Sequence, residues 1–252
     1  MNTMIEILSY AMLISGAITF MALMSGFKAT YGRYSEQSRQ SVPLIPTKCA
    51  WFIQELPSLY IPLHYLVTGI TDLPLINAFI LILFCLHYIN RALIYPFLIK
   101  HGTGTPVHIF LLGLLFCTIN GYVQGKWHSH NVVYNESLKN TVFCFIGTLI
   151  FIIGMMINVT SDSILRNLRK DGESGYKIPY GGLFKYISGA NFFGECIEWT
   201  GFALLARTLP AFAFAFFTLC NIAPRAYQHH RWYQEKFGNY PKDRKAFIPF
   251  VI

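Results

Sequence analysis

Apolar residues along this chain gather into seven long runs, at 6–27, 49–70, 73–97, 106–125, 140–161, 189–206 and 208–228. Most are about 20 residues long, the length at which a helix rising about 1.5 Å per residue crosses a hydrocarbon core of about 30 Å. The pattern predicts an all-α integral membrane protein, a bundle of about seven transmembrane helices in one domain over 1–252. The first run opens with Glu6 and has neither a basic leader nor a small-residue cleavage site. It is read as a retained span, not a signal peptide. Two connections are long and polar. The first, 28–48, is punctuated by prolines. The second, 162–188, is expected to start as an amphipathic helix, break at Asp171-Gly172 and turn again around Pro179 and Gly181-Gly182. Beyond the last run the pattern predicts a helix that leaves the membrane and stops at Gly238-Asn239. The apolar end Ile248–Ile252 should tuck against the bundle or the bilayer surface.

Polar residues interrupt the runs in a regular way. Glu55, Glu195 and Glu198 lie inside or at the mouth of apolar stretches, where an acid costs roughly 2.5–3.5 kcal/mol at mid-span unless it lines a cavity or finds a partner. Tyr88, Arg91 and Tyr95 recur at i, i+3, i+7; Asn158, Asp162 and Arg169 at i, i+4, i+11; Asn191, Glu195 and Glu198 at i, i+4, i+7; Arg225, His229 and Tyr233 at i, i+4, i+8. Each set fits one face of a helix. Glu55 stands seven residues past Lys48, so about 10 Å into its helix, followed by Pro57 and Pro62, which can free backbone groups toward a cavity. One stripe alone reads as snorkelling or helix-end charge. Four stripes at one depth predict a shared polar cavity in one half of the bundle.

Composition agrees: 54% of residues are hydrophobic and 13% charged, against about 25% charged in soluble domains. The net charge of +8 is one-sided. Lys28, Arg33, Arg39, Lys48, Lys100, Arg166, Arg169, Lys170, Lys177, Lys185 and the basic residues after 224 fall on one side of seven alternating spans; Lys126, Lys139 and Arg207 fall on the other. This asymmetry puts the C-terminus in the cytoplasm and the N-terminus outside. The basic excess is thus topological, and no nucleic-acid partner is expected. The six cysteines fall within apolar runs without a C-x-x-C and read as small apolar residues. His128-Ser-His130 reads as a solvated outer loop, and no metal is expected. Asn135-Glu-Ser137 in the same loop has the form of a glycosylation sequon. Gly102-Thr-Gly104-Thr lacks the third glycine and the strand–helix setting of a dinucleotide fingerprint.

Several long motifs resemble the steroid 5α-reductase family (3-oxo-5α-steroid 4-dehydrogenases). They are WFIQELPS, LHYINRALIYPF, NVTSDSILRNLRKDGESGYKIPYGGLFKYISGANF, SGANFFGECIEWTGFALLA and the tail RAYQHHRWYQEKFGNYPKDRKAFIPFVI. They follow one another in the family's order along nearly the whole chain. The resemblance implies a seven-span, multi-pass membrane enzyme that reduces the carbon-4,5 double bond of 3-oxo-4-ene steroids with NADPH. It implies a steroid-like apolar substrate arriving from the bilayer, a cytoplasm-facing active site and a monomer, in a bacterial inner membrane or the endoplasmic reticulum. By the same resemblance Glu55 and Tyr88 are catalytic at the substrate ketone, and Trp51 flanks the steroid. Asn158, Asp162, Arg169, Asn191, Glu195, Arg225, His229 and Tyr233 surround NADPH. Arg91 and Tyr176 join that cofactor set through their matching motifs, which also contain Tyr95 and Glu198. The chain departs from the family at Gln228, where animal members have histidine, and at Lys177, where they have arginine. The stretch 100–105 does not align, so it receives no cofactor contact.

The residue types suit the chemistry. Enone reduction needs hydride at the β-carbon and hydrogen-bond donors aimed at the developing enolate oxygen. Tyr88 is such a donor. Glu55 donates only when protonated, and an apolar span disfavours its carboxylate, the logic of a neutral acid in the oxyanion hole of ketosteroid isomerase. Arg169 and Arg225 suit phosphates; amides and carboxylates suit a carboxamide and ribose hydroxyls. Alternative readings are a related membrane reductase of an enoyl-thioester, a polyprenol or another sterol double bond, a membrane methyltransferase, and, in another class, a membrane lipid transporter or binding protein.

Overall fold

Prolines set where three helices begin. Pro46, Pro74 and Pro106 each adopt φ between −52° and −58° with an extended ψ of 130° to 144°, immediately before helices α2 (Thr47–Gly69), α3 (Leu75–Tyr88) and α5 (Val107–Lys126). The fixed proline φ ends the extended connection and presents the next residue to the helix. The structure, a computed structural model, describes residues 3–28, 34, 42–100, 102–134, 138–169, 173 and 175–252. Arg33, Arg39, Lys170, the sequon at Asn135–Ser137 and the break expected at Asp171–Gly172 lie outside them.

All seven apolar runs are helical. Besides those already named, α1 covers Thr3–Met24, α6 Leu138–Arg166, α7 Ala190–Ala206 and α8 Leu209–Lys236, and a short α4, Tyr95–Leu98, follows α3. Among the described residues five segments are long and apolar enough to cross a membrane: Thr3–Met24, Leu75–Leu98, Val107–Asn131, Asn140–Arg166 and Leu209–Lys236. The other two differ for visible reasons. Lys48, Gln54, Glu55 and His64 dilute the apolar character of α2, and α7 has only 17 residues. The protein is a helical multi-pass membrane protein. Its one departure from an all-α fold, among the described residues, is a two-residue antiparallel ladder with a single parallel bridge elsewhere. The ladder pairs Leu44 with Pro106 and Ile45 with Thr105, in strands β1 (Leu44–Ile45) and β2 (Thr105–Pro106).

The chain divides into two compact units, Met1–Ala11 with Phe27–Val142 and Thr208–Ala211, and Met12–Gly26 with Phe143–Arg207 and Phe212–Ile252. In the first, α5 lies along α2 through a stripe of small residues, Gly113, Cys117, Gly121 and Gly125. A Cβ on Gly121 would stand 2.7 Å from the Pro57 carbonyl oxygen, and one on Gly125 3.1 Å from Pro62 Cα. The Ser58 hydroxyl donates to the Cys117 carbonyl at 2.9 Å. The contacts advance in the same direction on both helices, so α2 and α5 run parallel. The ladder closes the pair at one end, where the Gly104 amide donates to Thr47 Oγ1 at 3.1 Å.

A π-helical turn, Ile89–Ile94, divides α3 from α4. The Tyr95 amide donates to the Asn90 carbonyl, five residues back, and Pro96 has no N–H to restore the α register. The stripe Tyr88–Arg91–Tyr95 is therefore not carried on a continuous α-helix, as its spacing had suggested. A second π turn, Trp127–Asn131, extends α5. It corrects the reading of His128 as part of a solvated loop: His128 is fully buried, and its carbonyl accepts from Asn77 Nδ2 at 2.7 Å.

In the second unit α6 and α7 meet backbone to backbone. Gly147 and Gly154 on α6 face Gly201 and Gly194 on α7, each pair seven residues apart and in opposite order, so the helices are antiparallel. A Cβ on Gly154 would lie 2.2 Å from the Glu198 amide nitrogen, and one on Gly201 2.4 Å from that of Phe151. The carboxyl-terminal half of α1 packs on α8, with Gln228 Nε2 donating to the Leu23 carbonyl at 2.8 Å. After α8 the chain folds back along the start of α7. Ser188 and Gly189 donate to the carbonyls of Lys245 and Ala246, while Ser188 Oγ meets His230 Nδ1 at 2.6 Å and the Tyr240 hydroxyl. The apolar end Ile248–Ile252 does not tuck against the bundle: Ile248, Phe250, Val251 and Ile252 stay exposed around a turn closed by the Phe247 and Ile248 amides donating to the Ile252 carbonyl, and burial stops at Phe247 just before it.

The α6–α7 contact generates a stability test. Alanine gains about 0.8–1.0 kcal/mol over glycine in an exposed helix, but at Gly154 its methyl collides with main chain. Gly154→Ala should lower the thermal unfolding midpoint in detergent by several degrees. Gly238→Ala, where an added Cβ meets nothing within 4 Å, should leave it unchanged.

Candidate active site

The sequence-predicted substrate residues lie in the first unit. Trp51 and Glu55 stand four residues apart on α2, and Tyr88 ends α3. Arg91 leaves the π turn to lie over two rings, its guanidinium carbon 4.8 Å from the Trp51 centroid and 5.1 Å from that of Tyr95. The two rings meet edge to face at 5.4 Å. The planar guanidinium thus sits on an aromatic platform formed by the two rings. This places Arg91 beside Trp51, within the unit of Glu55 and Tyr88.

Glu55 and Tyr88 both touch α5. The Cys117 thiol donates to Glu55 Oε2 at 3.5 Å, and Asn120 Nδ2 donates to the Tyr88 hydroxyl at 3.4 Å. Cys117 and Asn120 are three residues apart, one helical turn, so they share a face. Glu55 is half-buried, and Tyr88 is buried among aromatic neighbours, its ring 4.9 Å from Phe84 and 5.0 Å from His87. The first unit therefore gathers a carboxyl group, a phenol, a guanidinium and an indole. Asn120 and Gln124, which complete its polar chain, escaped the sequence reading. The available signal was an i, i+4 amide pair within an apolar run.

The sequence-predicted cofactor residues lie, apart from Arg91, in the second unit. Four of them form one hydrogen-bonded cluster across the α6–α7 contact. Asn158 Nδ2 donates to the Asn191 carbonyl at 3.0 Å and to Glu195 Oε2 at 3.5 Å, and Asn191 Nδ2 donates to Asp162 Oδ1 at 3.1 Å. Asn158 and Asp162 are nearly fully buried. Glu198, one turn beyond Glu195, is also buried, against the glycine seam. Arg169 does not continue the α6 stripe as its spacing predicted, because the helix ends at Arg166. It stands in the following turn, 5.8 Å over the Tyr176 ring, which in turn meets Trp232 at 5.1 Å.

On α8, Arg225 Nη2 donates to Asn221 Oδ1 at 3.3 Å, and the His229 ring lies 5.4 Å from Phe192, next to Asn191. Tyr233 is buried with its ring stacked on Tyr240, at 5.3 Å and 5° between planes. The second unit thus offers amides, carboxylates and guanidiniums together, the donor and acceptor types that ribose hydroxyls, a carboxamide and phosphates require. Among the described residues no group of three His, Cys, Asp or Glu could hold a metal ion.

A family model described as 3-oxo-5-alpha-steroid 4-dehydrogenase matches residues 103–252. The chain is 47% identical over 246 residues to 3-oxo-5-alpha-steroid 4-dehydrogenase 1 of Mus musculus, covering 95% of this chain and 94% of that protein. To 3-oxo-5-alpha-steroid 4-dehydrogenase 2 of Homo sapiens it is 44% identical over 239 residues, covering 94% and 93%. The chain belongs to the 3-oxo-5-alpha-steroid 4-dehydrogenase family.

Proposed function

We propose that this protein reduces the carbon-4,5 double bond of 3-oxo-4-ene steroids to 5α-reduced 3-oxo steroids, an oxidoreduction at a CH–CH group, using NADPH. The observation that carries the reaction is the near-full-length likeness to proteins named for it. The substrate enters from lipid, as its apolar character and the apolar helices favour. In this reading Tyr88 and Glu55 donate hydrogen bonds to the ketone oxygen at carbon 3, and Trp51 flanks the rings. Donors fixed before reaction stabilise the negative charge that grows on that oxygen. Glu55 takes part in its protonated form, since a carboxylate has no proton to give.

The second unit's donor set fits NADPH. Arg169 and Arg225 would hold phosphates; Asn158, Asp162, Asn191 and Glu195 would hold hydroxyl and carboxamide groups; His229, Tyr233 and Tyr176 would line the remainder. When bound, NADPH supplies the hydride. The chain's own residues orient it, and the existing hydrogen bonds of Asn158 and Asn191 support this role by holding both carboxylates in place before binding. Arg91 is reassigned in this reading from the cofactor to the substrate side, on the strength of its stacking on Trp51.

The orientation that goes with this function has seven spans, the N-terminus outside, the C-terminus and active site cytoplasmic, and the chain acting as a monomer. The parallel α2 and α5 and the antiparallel α6 and α7 support the alternation, and the Lys/Arg asymmetry supports its sense. A reporter fused after Ile252 should be cytoplasmic; an external signal would reverse the assignment.

Purified protein should oxidise NADPH in the presence of testosterone or progesterone and release the 5α product. Turnover only with an enoyl-thioester or polyprenol would transfer the chain to a different substrate class. Arg169→Ala and Arg225→Ala should each weaken NADPH binding by about 1.5–3 kcal/mol, the contribution of a hydrogen bond to a charged group. Unchanged affinity in both would remove them from the site. Glu55→Gln keeps a donor of similar shape but loses the acidic proton; it should slow single-turnover hydride transfer on the order of the 10²–10³-fold seen when one oxyanion donor is lost, with NADPH affinity little altered. A wild-type rate in Glu55→Gln would leave Tyr88 as the sole electrophile.

A further inference from the structure

We infer that Asn120 and Gln124 are positioning residues that fix the direction of the Tyr88 hydroxyl proton. The inference rests on the proposed role of Tyr88 at the substrate ketone. Tyr88, Asn120 and Gln124 are 3%, 0% and 0% exposed, so water does not set their hydrogen bonds. The chain of contacts starts at a group whose role is not negotiable. The Pro210 carbonyl can only accept, and Gln124 Nε2 donates to it at 2.9 Å. The same amide nitrogen donates its second proton to Asn120 Oδ1 at 3.3 Å.

With its oxygen thus engaged, Asn120 presents Nδ2 to the Tyr88 hydroxyl, at 3.4 Å. The phenolic oxygen accepts there, so its own proton points away from Asn120. Flipping either amide would set oxygen against oxygen at Pro210 or nitrogen against nitrogen at Asn120. Gln124 Oε1 is buried with no hydrogen-bond partner among the described residues, a cost that the reverse orientation would exchange for repulsion at the carbonyl. A lone phenol would rotate its proton among neighbours; this one is oriented before any substrate arrives.

The test is a double-mutant cycle on the single-turnover rate, with saturating NADPH and testosterone and with NADPH affinity measured on every variant as the control for folding. Asn120→Leu should slow the step on the order of tenfold, the scale of one neutral hydrogen bond. Asn120→Asp should slow it further, because its oxygen accepts the Tyr88 proton and withdraws it from the ketone. In a Tyr88→Phe background both substitutions should add less than about twofold, since there is no hydroxyl left to orient. Equal slowing in the two backgrounds would mean that Asn120 is merely structural and would overturn the inference while leaving Tyr88 in place. An unchanged rate for Tyr88→Phe alone would instead defeat the reading on which the inference rests. If the Asn120 variants lose NADPH binding, Gln124→Met carries the same cycle one link earlier, with the same non-additivity expected and the same additive outcome overturning it.

Discussion

Two α-helices can approach until their main chains touch only where neither carries a side chain. In this protein that constraint falls on Gly147, Gly154, Gly194 and Gly201. Each glycine lies against the opposite backbone at a distance no Cβ would tolerate. The α6–α7 distance follows from it, and so does the polar cluster at the end of the seam. Asn158 lies four residues beyond Gly154 and Asn191 three before Gly194, so the short amides reach across to each other and to Asp162 and Glu195. A wider spacing would break these hydrogen bonds at a depth where losing each one costs on the order of kcal/mol. Between apolar helices in lipid, close packing and interhelical hydrogen bonds replace the hydrophobic drive of soluble proteins, and the seam supplies both.

The first unit solves the same problem with other residues. The α5 stripe Gly113–Cys117–Gly121–Gly125 accepts the two proline-bearing turns of α2. Close approach there brings the Cys117 thiol to Glu55 and lays the next turn of α5 against Tyr88. Proline and π-helical geometry then decide side-chain direction. Pro96 removes one donor, the backbone shifts to a five-residue hydrogen bond, and Arg91 turns onto the faces of Trp51 and Tyr95.

The amino-acid sequence by itself determined where the helices lie, because membrane-length apolar runs and the prolines before them admit few other structures. It also determined which residues would be polar and internal: a charged or amide group at helical spacing inside an apolar run has to find a partner. That is why Asn158, Asp162, Asn191 and Glu195 were legible from i, i+4 repeats as internal polar positions, whereas their hydrogen bonds across the α6–α7 contact were not. Tertiary structure decided what repeats could not specify. It took Arg169 off the end of α6, turned Arg91 toward Trp51, buried His128 in a π turn and joined Gln124 to the Pro210 carbonyl, 86 residues away in the chain. These outcomes depend on where a helix ends, on hydrogen-bond register and on which distant carbonyl lies within reach of an amide. Periodicity is blind to all three, because it records which face a residue occupies and not what stands opposite that face.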